Sequence, residues 1–316
     1  MDYKNVGRSG LQVSVAGLGC NNFGMRCDKE QSAAVVHKAL ELGINLFDTA
    51  DIYGGGGKSE EFLGAALGDR RQNVAIATKF VGPMGEGPLN KGASRRYVMR
   101  AVEASLRRLG TDWIDLYQVH FPDPATPIEE TQRALDDLVR QGKVRYIGCS
   151  NFAGWQVVEA QWTARTHQLT PFISAQNEYS LLDRRVEREL VHACNAYGLG
   201  VLPYFPLASG FLSGKYRPGE PPPQGTRLAL WGARGQALLS ERNFAVLEKL
   251  TAFAQARERG VLDVAIGWLA GQAHVASVIA GATSPEQVEQ NARAAQWRLT
   301  PEELAEVDRL TKKGEG

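Results

Sequence analysis

Short apolar, β-branched runs recur along the chain at residues 13–18, 44–47, 74–77, 114–119, 144–147, 172–175, 200–203 and 275–280, which predicts eight strands. Between them, apolar positions recur at helical spacing over 32–42, 94–109, 128–141, 155–166 and 186–197. Most strand starts fall about 30 residues apart, the length of a strand–helix–strand unit. Eight such units predict an α/β fold, a closed parallel (β/α)8 TIM barrel, with residues 1–316 as a single domain. The opening segment 3–13, turning at Gly7-Arg8-Ser9-Gly10, reads as a β-hairpin able to close the bottom of the barrel.

The competing architecture is an open doubly wound sheet, which usually carries a G-x-G-x-x-G turn after its first strand. No Gly-rich stretch here has that spacing: Gly54 to Gly57 runs on as Lys58-Ser59-Glu60-Glu61, a flexible loop followed by a helix start. One interval breaks the rhythm. Roughly 70 residues separate the seventh strand from the eighth, and their first part, 206–239, is too rich in Pro and Gly to be helical. A loop this long after strand 7 reads as a lid or binding segment. Helical runs follow at 240–258 and 262–273. Thr300-Pro301-Glu302-Glu303 opens a last helix with a Thr cap, Pro in the first turn and Glu three residues on.

Length and composition narrow the function classes. At 316 residues the chain fits two small domains or one barrel. With 36 basic against 35 acidic residues the net charge is +1, giving no electrostatic footprint for nucleic acid. No apolar run approaches the roughly 18 residues of a membrane span, and the first residues lack a signal pattern, so the expectation is a cytoplasmic protein without a membrane partner. Cys20, Cys27, Cys149 and Cys194 form no C-x-x-C pair and read as reduced thiols. Of the five histidines only His120 falls at a strand end, and none shows a metal-binding spacing, which leaves a metal-dependent hydrolase without support.

Chemistry in a parallel barrel collects where strands end. The polar residues there are Asp48, Lys79, His120, Ser150, Asn151, Gln176 and Tyr204, with Tyr53 in the loop after Asp48. Singly, each has an ordinary structural reading as a cap, a packing residue or a solvated charge. Together they supply an acid, a phenol, an amine and an imidazole on one face. An ammonium beside a phenol lowers its pKa from about 10, a carboxylate orients the ammonium, and an imidazole can hold a substrate oxygen. That set suits carbonyl reduction, in which an oxygen gains negative charge.

These residues resemble a known family. Gly43-Ile44-Asn45-Leu46-Phe47-Asp48-Thr49-Ala50, with Tyr53, Lys79 and Val119-His120, resembles the Asp, Tyr, Lys, His tetrad of the aldo-keto reductase superfamily. Gly148-Cys149-Ser150-Asn151-Phe152, Tyr204-Phe205-Pro206-Leu207-Ala208-Ser209-Gly210 and Gly281-Ala282-Thr283-Ser284-Pro285-Glu286-Gln287 extend the likeness over nearly the whole chain, toward the bacterial and potassium-channel β-subunit branch. The resemblance implies a barrel that binds NADPH without a Rossmann motif and reduces aldehydes or ketones to alcohols, as an alcohol dehydrogenase or carbonyl reductase type of oxidoreductase. Tyr53 would donate the proton, Lys79 and Asp48 would tune it, and His120 would orient the carbonyl.

The cofactor contacts are implied in the same way. Asp48, Ser150, Asn151 and Gln176 would meet the nicotinamide end, with Tyr204 stacking on the ring and Cys20 and Asn21 lining the first strand. Phe205 and Pro206 would also meet the cofactor, Leu207, Ala208, Gly210, Ser213 and Lys215 would contact the pyrophosphate, and Arg227 matches a cofactor-binding arginine. Gly281, Thr283, Gln287, Gln290 and Asn291 would meet the adenosine. Many relatives place Lys or Arg beside the 2′-phosphate where this chain has Gly281, Ala282, Thr283 and Gln287, and Glu where it has Gln290; NADH therefore stays open. Phe23, Phe80, Phe121 and Trp231, with Met25, Trp155 and Phe205, are the expected apolar wall around a small-molecule carbonyl. The alternative function is a nucleotide-sensing regulatory subunit with little turnover. Oligomeric state stays open.

Overall fold

The computed structural model describes residues 1–312; of the domain expected over 1–316, the last four residues lie outside the described residues. Strands β1 (Tyr3–Asn5) and β2 (Gln12–Ser14) form the hairpin, with Lys4 opposite Val13. Eight further strands are parallel: β3 (Ala16–Gly19), β4 (Leu46–Asp48), β5 (Ala75–Phe80), β6 (Ile114–Val119), β7 (Val144–Ser150), β8 (Ser174–Gln176), β9 (Gly200–Val201) and β10 (Val278–Gly281). They neighbour one another in chain order, with β10 returning beside β3. Bridges Val201↔Val275 and Tyr204↔Ile279 join the β9 segment to the β10 segment and complete the ring.

Two cores follow from the alternation of side chains along each strand. Leu46, Ala75, Ala77, Leu116, Leu202 and Ile279 point inward and fill the barrel, and Val6 and Val13 of the hairpin plug its lower end. Phe47, Ile76, Tyr117, Ile147, Ala175 and Val201 point outward into the larger core beneath the helices. The outer helices include Lys29–Glu41, Lys58–Leu67, Arg95–Leu109, Ile128–Arg140, Gly154–His167, Leu190–Tyr197, Val261–Gly271 and Pro285–Ala295. Asp28 and Gln31 form a capping box at the first of these, and Thr300 with Glu303 does the same for Pro301–Thr311.

Four local expectations change. The run 13–18 is two strands, because Val13 pairs into the hairpin and only Ala16 begins the barrel. The run 186–197 breaks at Glu189, with a 3-10 turn over Arg185–Arg188 before the helix. The segment 206–239, expected to lack helix, contains a 3-10 turn at Ala208–Ser213 and short helices at Arg227–Leu230 and Ala233–Leu238, the first capped by Thr226. Pro285–Ala295 is a full helix that the strand-centred reading passed over; its Pro sits in the first turn, where the missing N–H costs nothing.

Candidate active site

Strand parity builds the site. Asp48 shares the inward parity of Leu46, Lys79 that of Ala75 and Ala77, and His120 that of Leu116, so each extends an inner row to the upper barrel mouth. Ser150, Gln176, Tyr204 and Gly281 reach the same mouth from β7, β8, β9 and β10. There a cavity of about 600 Å³ opens, lined by all of these except Lys79.

Tyr53 enters from a loop. It begins a tight turn, Tyr53–Gly56, followed by Gly57, in which Gly54 (φ 72°) and Gly55 (φ 75°) are left-handed. Gly54 has no alternative residue: an added Cβ would lie 2.7 Å from Phe23 O and 2.9 Å from Ser59 N. The turn brings the Tyr53 ring to 5.8 Å from the His120 ring, edge to face.

Lys79 is completely buried behind these groups. Its ammonium donates to Asp48 Oδ2 at 2.7 Å and to Thr49 O at 2.8 Å, and Nζ lies 5.1 Å from the centroid of the Tyr53 ring. Asp48 Oδ1 accepts from Gln176 Nε2 at 2.7 Å. Burial pulls the Lys79 ammonium down, but Asp48 and Tyr53 outweigh it and leave it above its ordinary value. For Tyr53 the balance runs opposite to the sequence expectation: burial pushes the phenol up, and the pull of Lys79 does not reverse it. Tyr53 is therefore a neutral O–H donor at neutral pH. Burial, then Lys79, pushes His120 down to about 2, so its ring is neutral too. It stacks on Phe121 at 4.2 Å.

Around the mouth, Asn151 Nδ2 donates to His120 O and Ser150 Oγ, and Asn151 Oδ1 accepts from the Tyr204 hydroxyl. The strand continues into Phe205 (φ 53°), Ala208 (φ 46°) and Ser209 (φ 60°), left-handed conformations that cost a bulky residue about 1–3 kcal/mol each. At the far end, Arg26, Lys215 and Arg227 line the cavity, and none has a carboxylate within ion-pair distance among the described residues. Burial first, then neighbouring Arg26, lowers the pKa of both Lys215 and Arg227. Arg227 lies over the Phe205 ring at 5.0 Å and donates to Asn22 Oδ1 at 3.3 Å, while Arg26 Nη2 donates to Gly225 O at 2.9 Å. These contacts tie the long loop to the turn after β3. Gln287 Oε1 accepts from the Thr283 backbone and hydroxyl, leaving its amide N–H groups free to face the cavity.

Asn21, Phe205, Pro206, Leu207, Gly210, Ser213, Thr283, Gln290, Asn291 and Phe121 also line this cavity. Cys20, Phe23 and Phe80 do not. Cys20 has outward parity and is fully buried, its Sγ turned to Leu18 O. Phe80, one residue past inward Lys79, faces out and stacks on Tyr117 at 4.7 Å, and Phe23 is fully buried in the outer core. Ala208 is buried off the wall, and Trp231 stands behind Phe205 at 5.6 Å. Met25 and Trp155 are exposed away from the cavity lining. Sequence reasoning missed Gly19, Asn22, Arg26, Ile52, Ser209, Leu262, Ile279 and Ala280 on the wall. Parity offers Gly19 and Ile279; nothing in the sequence points to Arg26.

Residues 16–312 match the model of the Aldo/keto reductase family. The chain is 38% identical over 314 residues to a Bacillus subtilis protein named uncharacterized oxidoreductase YrpG, covering 96% of this chain and 94% of that protein. It is 36% identical to a probable voltage-gated potassium channel subunit beta of Oryza sativa and 37% to one of Arabidopsis thaliana, in each case over 98% of this chain and 96% of the relative.

Proposed function

The chain belongs to the aldo/keto reductase family and is an oxidoreductase, and from that premise we propose that it reduces an aldehyde or ketone with NADPH, Tyr53 donating the proton. The observation that carries the reading is the convergence of Asp48, Tyr53 and His120 at one end of a single cavity, backed by buried Lys79. The cavity residues fit a nicotinamide dinucleotide. Three cations without carboxylate partners suit its phosphates, and the polar mouth at Ser150, Asn151 and Gln176 suits its carboxamide.

When bound, a reduced nicotinamide supplies the hydride. The protein's part is proton and position. Protonated Tyr53 donates to the carbonyl oxygen, and the phenolate left behind is held by the Lys79 ammonium, which Asp48 keeps charged and aimed. Neutral His120 holds the same oxygen without adding a second positive charge. Ile52, Phe121 and Phe205 give the reacting end apolar surface that excludes water.

Arg26 and Arg227 supply the charge for a 2′-phosphate that Gly281 and Thr283 lack. Steady-state oxidation of NADPH and of NADH with 4-nitrobenzaldehyde should favour NADPH, and Arg26→Ala and Arg227→Ala should each raise KM for NADPH about tenfold more than for NADH. Equal effects on both cofactors would remove these residues from the 2′-phosphate.

A second reading comes from the relatives named as potassium channel β subunits: a nucleotide-responsive partner protein. It predicts tight cofactor binding without aldehyde-dependent oxidation.

A further inference from the structure

We propose that the Tyr204 hydroxyl is a positioning group for the nicotinamide carboxamide, acting through Asn151; this rests on the reading that the cavity binds a nicotinamide dinucleotide. Asn151 follows β7 in the left-handed region at φ 61°, a conformation that Asn tolerates better than most residues. The backbone there turns the amide back across the barrel mouth. Nδ2 donates to His120 O at 3.0 Å and to Ser150 Oγ at 3.0 Å, and Oδ1 accepts from Tyr204 Oη at 2.7 Å.

These bonds fix what the site can offer a ligand. The His120 carbonyl is an acceptor only, so Nδ2 must face it, and the amide cannot be turned over. Both N–H groups of Asn151 are then used, and Oδ1 keeps one lone pair. Ser150 Oγ accepts from Asn151 and keeps its own O–H to donate. The wall therefore presents a donor at Ser150 beside an acceptor at Asn151. A carboxamide meets that pair with its carbonyl toward Ser150 and its NH2 toward Asn151; the reverse orientation would set two acceptors against each other.

Tyr204 supplies the third restraint. Its backbone N–H donates to Asn177 O at 3.1 Å, so its hydroxyl arrives from a different strand end than the amide it holds. Together, Tyr204, Asn151 and His120 connect the strand ends of β9, β7 and β6. Without the hydroxyl, Asn151 Oδ1 loses the only donor that the protein provides it among the described residues, and the amide is held from its Nδ2 side alone, so that Oδ1 is less firmly aimed at the cavity. Tyr204 is only part-buried and Tyr204→Phe keeps its ring, so the change reaches the site rather than the fold.

The test compares wild type, Tyr204→Phe, Asn151→Ala and the double variant in titrations of NADP+ and NAD+, each against the same dinucleotide cut down to its ADP-ribose half. Tyr204→Phe should weaken the preferred dinucleotide about fivefold, as expected for one neutral hydrogen bond, while the ADP-ribose half binds within about twofold of wild type. With Asn151→Ala already in place, Tyr204→Phe should add no further loss. Unchanged dinucleotide affinity, equal weakening of the ADP-ribose half, or additive losses in the double variant would overturn the positioning role while leaving the cofactor reading intact. Wild type that binds neither dinucleotide would overturn both.

Discussion

At Lys79, one buried ammonium serves two acceptors beside the Tyr53 ring, and the placement of that single side chain organises the site. Its partner Asp48 is also buried, so neither charge is well hydrated, and each depends on the other. Lys79→Met should leave the Asp48 carboxylate with only amide donors and cost about 3–5 kcal/mol of stability, read from urea unfolding. A loss below about 1 kcal/mol would mean that Asp48 simply takes up a proton. The inward placement of Asp48, Lys79 and His120 was legible in the sequence, since each continues a period-2 row of apolar positions. The same rule, applied one residue further, would have excluded Phe80 and Cys20 from the cavity; aromatic character and motif position pointed the other way. The net direction of the Tyr53 pKa was not legible, because it depends on how far burial outweighs a single ammonium.

The turn after β4 and the helix Lys58–Leu67 form an element with its own buried charges. Glu60 is fully buried, paired with Arg108 at 2.6 Å and accepting from Thr78 Oγ1, and Asp51 lies close by with 1% exposure. Burial, then the Glu60 carboxylate, raises Asp51 to about 8 against the opposing pull of Arg108 and Lys79. An unfolded Asp titrates near ~4, so between about pH 4 and 8 the folded state holds a proton that the unfolded state has lost. Stability from this group is fully present below about pH 4 and is lost as pH rises through about 8. Asp51→Asn should flatten the fall of the thermal midpoint over that window; parallel curves for the two proteins would show that Asp51 is ionised in the fold. This element was only half legible. Gly54 to Gly57 read as a loop and Lys58 as a helix start, but the burial of Asp51 and Glu60 follows from packing against Arg95–Leu109, which no local pattern reveals. The long loop was similar: its Pro and Gly content marked its position and its irregularity, while the short helix that begins at Arg227 is fixed by contacts to Asn22 and Phe205 from elsewhere in the chain.

For the whole molecule, spacing alone predicted a closed ring of eight parallel strands with a hairpin beneath, and that is the fold. Among the described residues no helix is long and apolar enough to cross a membrane. What spacing could not supply was the far end of the cavity. Arg26 sits in a polar turn without any motif, and it reaches the long loop only because closure of the barrel brings β3 beside β10. The central claim is that this barrel mouth performs carbonyl reduction with Tyr53 as the acid. The most direct test follows aldehyde-dependent loss of NADPH absorbance in wild type and Tyr53→Phe, with NADPH affinity measured for both by fluorescence titration. The account predicts turnover in wild type, a fall of about 10²-fold or more in the variant, and affinities within about twofold of each other. Undiminished turnover in Tyr53→Phe, or tight NADPH binding by wild type with no aldehyde-dependent oxidation, would contradict it.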